Sequence, residues 1–269
     1  MPADTREALI PMTATEGLES VLRAAGCVFA EEEAAILRGA AGGDLAELER
    51  LVAARVAGAP IEPLVGRVDF DGLRLRVASG VFVPRQRTIA LARTAARELA
   101  ARSEGPFVEA FAGVAPVSAW LRARDPDLEI LVTERSAAAL SCARANVAEP
   151  AEFHGGSVLA GLPRSVLGRI AVIAAVPPYV PDGDEMLLPR EARDHEPREA
   201  LFGGADGLDL VRALIDEARD ALAPDGALCL EMSATQLPAA ERFGRERGYV
   251  STSASVAEDG TGTLVLALH

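Results

Sequence analysis

The chain has 269 residues, 49% of them hydrophobic, so it can bury one large core or a main core with a small companion. The formal net charge is −13, all 27 cationic residues are arginine, and no basic stripe is visible, which argues against a nucleic-acid interface. No apolar run approaches the roughly eighteen residues of a membrane span, and the opening MPADTREALIPM lacks the apolar centre of a signal peptide, so a cytoplasmic protein without membrane attachment is expected.

From Thr15 to about Val56 the spacing predicts a small helical bundle. Leu18, Val21 and Leu22 recur at helical intervals, as do Ala34, Ile36 and Leu37, then Leu45, Leu48, Leu51 and Val52. Gly26 and Gly42–Gly43 punctuate them. The Pro/Gly stretch GAPIEPLVG leads to RVDFDGLRLRVASG, where alternating runs flank Asp71-Gly72, a hairpin signal. VFVPRQRT then enters an apolar helix from about Ile89 to Ala101. From Phe107 strands alternate with helices: FVEAFA and APVSAWLRA, EILVTE and SAAALSCARANV, then the strand IAVIAA. The helix GLDLVRALIDEARDAL, the strand GALCLEM, the helix TQLPAAERFGRERG and the closing strands YVSTSASV and GTLVLAL follow.

This alternation predicts an α/β fold with a doubly wound, mainly parallel sheet, whose ligands sit beyond the carboxyl ends of the strands. Four such ends matter: Glu109–Gly113, Thr133–Ser136, Ala175–Tyr179 and Glu231–Ser233. The expected organisation is a helical domain over 1–60, a linker and hairpin over 61–90, and the α/β domain over 91–269. Cys27, Cys142 and Cys229 are far apart and share no metal-ligand spacing, so no metal is expected and the thiols are read as buried and reduced.

The hairpin FDGLRLRVASGVFVPR, the strand end before PPYVP, and the run LLPREARDHEPREALFGGADGLDLVRALI occur in an order that resembles the glutamine-N5 methyltransferases that modify release factors and a ribosomal protein. The resemblance covers nearly the whole chain. It implies a class I methyltransferase domain with a seven-stranded Rossmann-like sheet, S-adenosylmethionine (SAM) as cofactor, and methylation of a glutamine side-chain amide. It also implies a protein partner or substrate docked by the N-terminal helical domain.

The family's first strand ends in an acid and a turn with three glycines that pass under the methionine part of SAM. In EAFAGVA, Glu109 and Gly113 are kept, while Phe111 and Ala115 replace the outer glycines. Phe111 is expected to add bulk where the cofactor lies and to resist a positive φ, unless the loop has moved and the ring packs in the core. Glu134 matches the acid that holds the ribose hydroxyls. Ser157 stands where the family has an aspartate near the adenine.

The family's catalytic loop is Asn-Pro-Pro-Tyr, whose asparagine accepts from the substrate amide. Here it reads Val176, Pro177, Pro178 and Tyr179. Val176 has no acceptor, and Ile89 stands where the family carries a glutamate beside the substrate. The scaffold motifs are kept and the cofactor and substrate groups are altered. The favoured reading is therefore a homologue with the family reaction abolished or strongly weakened, a non-catalytic or partner-binding protein with SAM in doubt. The alternatives are an active methyltransferase with an atypical site, or a pocket repurposed for small-molecule chemistry with Glu191, Asp194, His195, Glu196 and Tyr179 near its rim. The stretch GGADGL at 203–208 follows a loop, not a strand, which argues against a phosphate loop. The stretch DGDE at 182–185 reads as a solvated acidic loop.

Overall fold

The computed structural model describes residues 17–268, so Thr15, His269 and the N-terminal stretch lie outside the described residues. The chain divides into two compact units, the smaller ending at Val65 and the larger starting at Gly66.

The smaller unit holds α1 (Leu18–Ala24), α2 (Ala30–Ala41), α3 (Leu45–Val56) and α4 (Ile61–Val65). Leu18, Leu22, Leu37, Leu51 and Val52 make its core, the helical stripe read from the sequence. Gly42 ends α2 in the left-handed region at φ +59, and the Asp44 carboxylate then caps α3, accepting from the Ala46 and Glu47 amides at 2.9 and 3.1 Å. Arg55 binds Glu33 through two hydrogen bonds of 2.6 and 3.0 Å, a largely buried pair.

The larger unit opens with the hairpin β1 (Arg67–Phe70) and β2 (Leu73–Arg76), in which Phe70 pairs with Leu73 across Asp71-Gly72. Both turn residues have positive φ, +49 and +81, as a type I′ turn requires. After α5 (Ile89–Ala100) come β3 (Phe107–Ala110), α6 (Pro116–Arg122), β4 (Ile130–Glu134), α7 (Ala137–Asn146), β5 (Ala151–Gly155) and β6 (Ile170–Ala175). The remaining elements are α8 (Arg190–His195), α9 (Arg198–Leu201), α10 (Asp209–Ala221), β7 (Leu222–Ser233), α11 (Leu237–Glu246), β8 (Ser251–Val256) and β9 (Thr261–Ala267).

Seven strands form one sheet in the order β5-β4-β3-β6-β7-β9-β8. The first five are parallel, and β9 runs antiparallel to both β7 and β8. Alternate strand residues feed two cores, one against α5, α6 and α7, the other against α10 and α11. The expected α/β fold is present. The hairpin packs with the larger unit: Phe70, Leu75 and Val77 are buried in the first of these cores.

Candidate active site

Strand order reverses beside β3, whose neighbours are β4 and β6, and the crevice at such a reversal is where doubly wound sheets bind ligands. Ala110 is in register with Thr133 on one side and Ala175 on the other. The residues that follow are Phe111, Glu134 and Val176, so Phe111 leaves the sheet between the other two. A cavity of about 790 Å³ opens there, lined among others by Glu109, Phe111, Gly113, Glu134, Ser157 and the four residues Val176 to Tyr179.

The loop after β3 keeps a glycine-like path without its glycines. Phe111, Gly113 and Ala115 all have positive φ, +50, +54 and +58. A non-glycine residue in this region costs about 1–2 kcal/mol. At Phe111 that is offset by packing of the ring against the α10–α11 core. Phe111 thus takes the positive φ that its Cβ disfavours, with the ring placed against a core. The cavity persists beside the ring, and a side chain at Gly113 would project into open space. Ala115 is fully buried and does not line the cavity, so its expected cofactor contact is not made by its side chain.

Glu109 is buried behind the loop and accepts from the Val117 and Ser118 amides at 3.1 and 2.6 Å, closing the start of α6. Burial pushes its carboxyl up to about 7 despite those two bonds. Glu134 fastens the loop from the other side: its carboxylate accepts from Gly113 at 2.8 Å and from Ser136 at 2.6 Å. Val158, next to Ser157, has φ +55, and its carbonyl accepts from the Thr133 hydroxyl at 2.7 Å.

The loop at the end of β6 is held by backbone contacts. Val180 and Phe202 form a parallel bridge, and the Gly203 amide donates to the Val180 carbonyl at 2.9 Å. Gln236 donates to the carbonyls of Tyr179 and Asp206 at 2.8 and 3.0 Å. The glycines of GGADGL serve this approach: a Cβ on Gly203 would stand 2.3 Å from the Pro178 oxygen, and one on Gly207 2.1 Å from the Tyr179 oxygen. On the facing wall Arg87 donates to the Tyr179 hydroxyl at 3.0 Å. Behind it lies buried Glu231, 3.6 Å from Arg87 and accepting from the Thr88 hydroxyl at 3.2 Å. The other oxygen of Glu231 has no hydrogen-bond partner among the described residues, and burial raises its pKa.

Relatives with named activities resemble this chain over most of their length. A release factor glutamine methyltransferase of Deinococcus radiodurans is 36% identical, covering 77% of this chain and 73% of its own. The enzyme of that name from Streptomyces coelicolor is 33% identical over 77% and 78%. The chain belongs to the release factor glutamine methyltransferase family. A 4-amino-L-phenylalanine/4-methylamino-L-phenylalanine methyltransferase of Streptomyces pristinaespiralis is 32% identical, over 75% of this chain and 70% of its own. No family profile matches the chain. Two solved structures share the fold: a methyltransferase from Pyrococcus furiosus, with TM-score 0.52 and 18% identity over 73% of this chain and 89% of that one, and a ribosomal protein L11 methylase from Lactobacillus delbrueckii, with 0.51 and 15% over 72% and 86%.

Within this release factor methyltransferase fold, the run EARDHEP places Glu196, not His195, at a structural junction. The Glu196 carboxylate accepts from Arg85 at 2.6 and 2.8 Å and from the Val83 amide at 3.3 Å, tying α8–α9 to the segment after the hairpin. His195 is exposed and Asp194 pairs with Arg190 and Arg193, and neither lines the cavity, whereas Glu191 and Tyr179 do. Ile89 packs toward the core and does not line the cavity. Arg87, Gln236 and Glu231 went unassigned in sequence. Only Glu231, at a strand end, carried a signal there. No cluster able to hold a metal occurs among the described residues, and no described helix is long and apolar enough to cross a membrane.

Proposed function

We propose that this chain binds SAM in the cavity beyond β3 and that methylation of a glutamine amide is abolished or strongly weakened in it. The observation that carries this is Val176, at the cavity wall where the family's amide acceptor belongs. The residues fit the cofactor in kind. The left-handed loop with Gly113 open to the cavity would receive its methionine part, Glu134 retains lone pairs toward a ribose, and Ser157 lies on the same wall. When bound, SAM supplies an electrophilic methyl group on sulfur. The chain's own contribution to an amide reaction is deficient: the Val176 side chain accepts nothing, so one amide N–H goes unpaired at about 1–3 kcal/mol, and the nitrogen loses its aim. Pro177 keeps a carbonyl and Tyr179 a ring wall.

Calorimetry with SAM and transfer of labelled methyl to a glutamine-bearing release-factor peptide test the proposal. The expected result is SAM binding, no transfer by the wild type, and measurable transfer by Val176→Asn. Brisk transfer by the wild type would overturn it.

A second reading, a small-molecule substrate, is favoured by the cavity itself, which is lined by Tyr179, Phe82 and Phe202. The Streptomyces pristinaespiralis relative, named for an aromatic amino acid, supports that direction. A non-catalytic role would instead use the helical unit as a docking surface for a protein partner, with Val28 and Phe29 exposed on it.

A further inference from the structure

The substrate side of the cavity has a hydrogen-bonding sense opposite to the one an amide needs. A primary amide presents two N–H donors that require acceptors and one neutral carbonyl that accepts, whereas a carboxylate only accepts and carries charge. The Val176 side chain offers none, which leaves the Pro177 carbonyl on that side, and what the facing wall offers is donors. The Nη2 of Arg87 donates to the Tyr179 hydroxyl, its Nε faces Glu231, and its Nη1 makes no hydrogen bond among the described residues. Because the Tyr179 oxygen accepts from Arg87, its own O–H is directed elsewhere. Burial raises the Tyr179 pKa, so the phenol keeps its proton at neutral pH.

Glu231 does not line the cavity, so it holds the guanidinium from behind without covering the face turned to the ligand. Of the acids on the cavity wall, Glu109 is bound to α6, Glu134 to the loop after β3, and Glu199 to Arg135 at 3.0 Å. Glu191 lies on α8. The same cavity is lined by Val176 and Pro177 and by the rings of Phe82 and Phe202.

Resting on the reading that a glutamine amide is not the substrate, we infer that the substrate side takes an aromatic carboxylate, its carboxylate held between Arg87 and the Tyr179 hydroxyl and its ring against the apolar wall. Charge-assisted hydrogen bonds from a guanidinium to a carboxylate are strong and directional.

The test is titration of the full chain, by calorimetry or ligand-observed NMR, with benzoate and with benzamide, which share size and ring but differ in hydrogen-bonding sense. Benzoate is expected to bind about tenfold tighter than benzamide. Arg87→Gln should erase that preference and Arg87→Lys should keep most of it. Tyr179→Phe, which removes a single hydroxyl, should weaken benzoate several-fold and benzamide clearly less, so the inference stays testable even where Arg87→Gln fails to fold. Equal or tighter benzamide binding, no binding of either, or benzoate binding indifferent to Tyr179→Phe would each overturn it. Peptide methylation by the wild type would instead overturn the underlying reading, so the two failures are distinguishable.

Discussion

At position 111 backbone and side chain pull against each other. The backbone sits at φ +50, where a Cβ is unfavourable, while the ring gains burial against the α10–α11 core. Comparing two truncations separates the two effects. Phe111→Ala and Phe111→Gly both lose the ring, and only glycine relieves the backbone. The glycine variant is therefore expected to be about 1 kcal/mol more stable than the alanine variant in urea denaturation, the reverse of the ordinary order in a strand or helix. Equal stabilities would mean that the loop relaxes out of the left-handed region. The φ was not legible in the sequence, because a phenylalanine carries no mark of a left-handed backbone, whereas packing of the ring in the core was one of the two readings open there. Val176 was legible because Pro177, Pro178 and Tyr179 flank it with a recognisable turn. Arg87 was not, since its role depends on Tyr179, 92 positions away.

Among the elements, the loop after β6 depends on a glycine segment some twenty-five residues downstream. Alanine at Gly207 would add a left-handed strain at φ +74 and also drive a Cβ to 2.1 Å from the Tyr179 oxygen and 2.6 Å from Gln236 Nε2. Alanine at Gly72, in the hairpin, meets nothing within 4 Å and bears the φ strain at +81 alone. Gly72→Ala is thus expected to cost about 1 kcal/mol and Gly207→Ala at least about twice as much, with weakened ligand binding, because backbone contact cannot be relieved by a rotamer change. Denaturation of both variants with parallel titration checks the contrast. A Gly207→Ala variant as mild as Gly72→Ala would show that the two segments slide apart easily. The hairpin was readable from Asp71-Gly72 between alternating runs. Its docking was not: the Asp71 carboxylate accepts from Trp120 Nε1 at 2.7 Å and from Arg124 at 3.2 Å, and nothing local announces those partners.

For the whole molecule, alternation of strands and helices was enough to reveal the sheet, but not its order. Strand β5, half-exposed at the sheet edge with the sequence AEFHG, has no clean apolar period, and β9 enters between β7 and β8 against the direction of the parallel strands. Folding this sheet buries Glu109, and that sets a dependence of stability on pH. Its carboxyl is near 4.5 when unfolded and about 7 when folded. Below pH 4.5 both states hold the proton and the contribution is fully present. Between 4.5 and 7 the folded state keeps a proton that the unfolded state has released, so stability falls as pH rises, by up to about 3 kcal/mol. Burial moves Glu231 in the same direction. The ion-paired acids such as Glu33 are shifted down and act only below this window, where their contribution is lost as pH falls. Glu109→Gln keeps an oxygen for the α6 amides and carries no charge to desolvate. Relative to the variant, the wild type should therefore lose about 1–3 kcal/mol between pH 5 and pH 7.5 in urea denaturation. A difference between the two proteins that stays constant across that range would mean that Glu109 is ionised throughout, with the Val117 and Ser118 amides outweighing its burial.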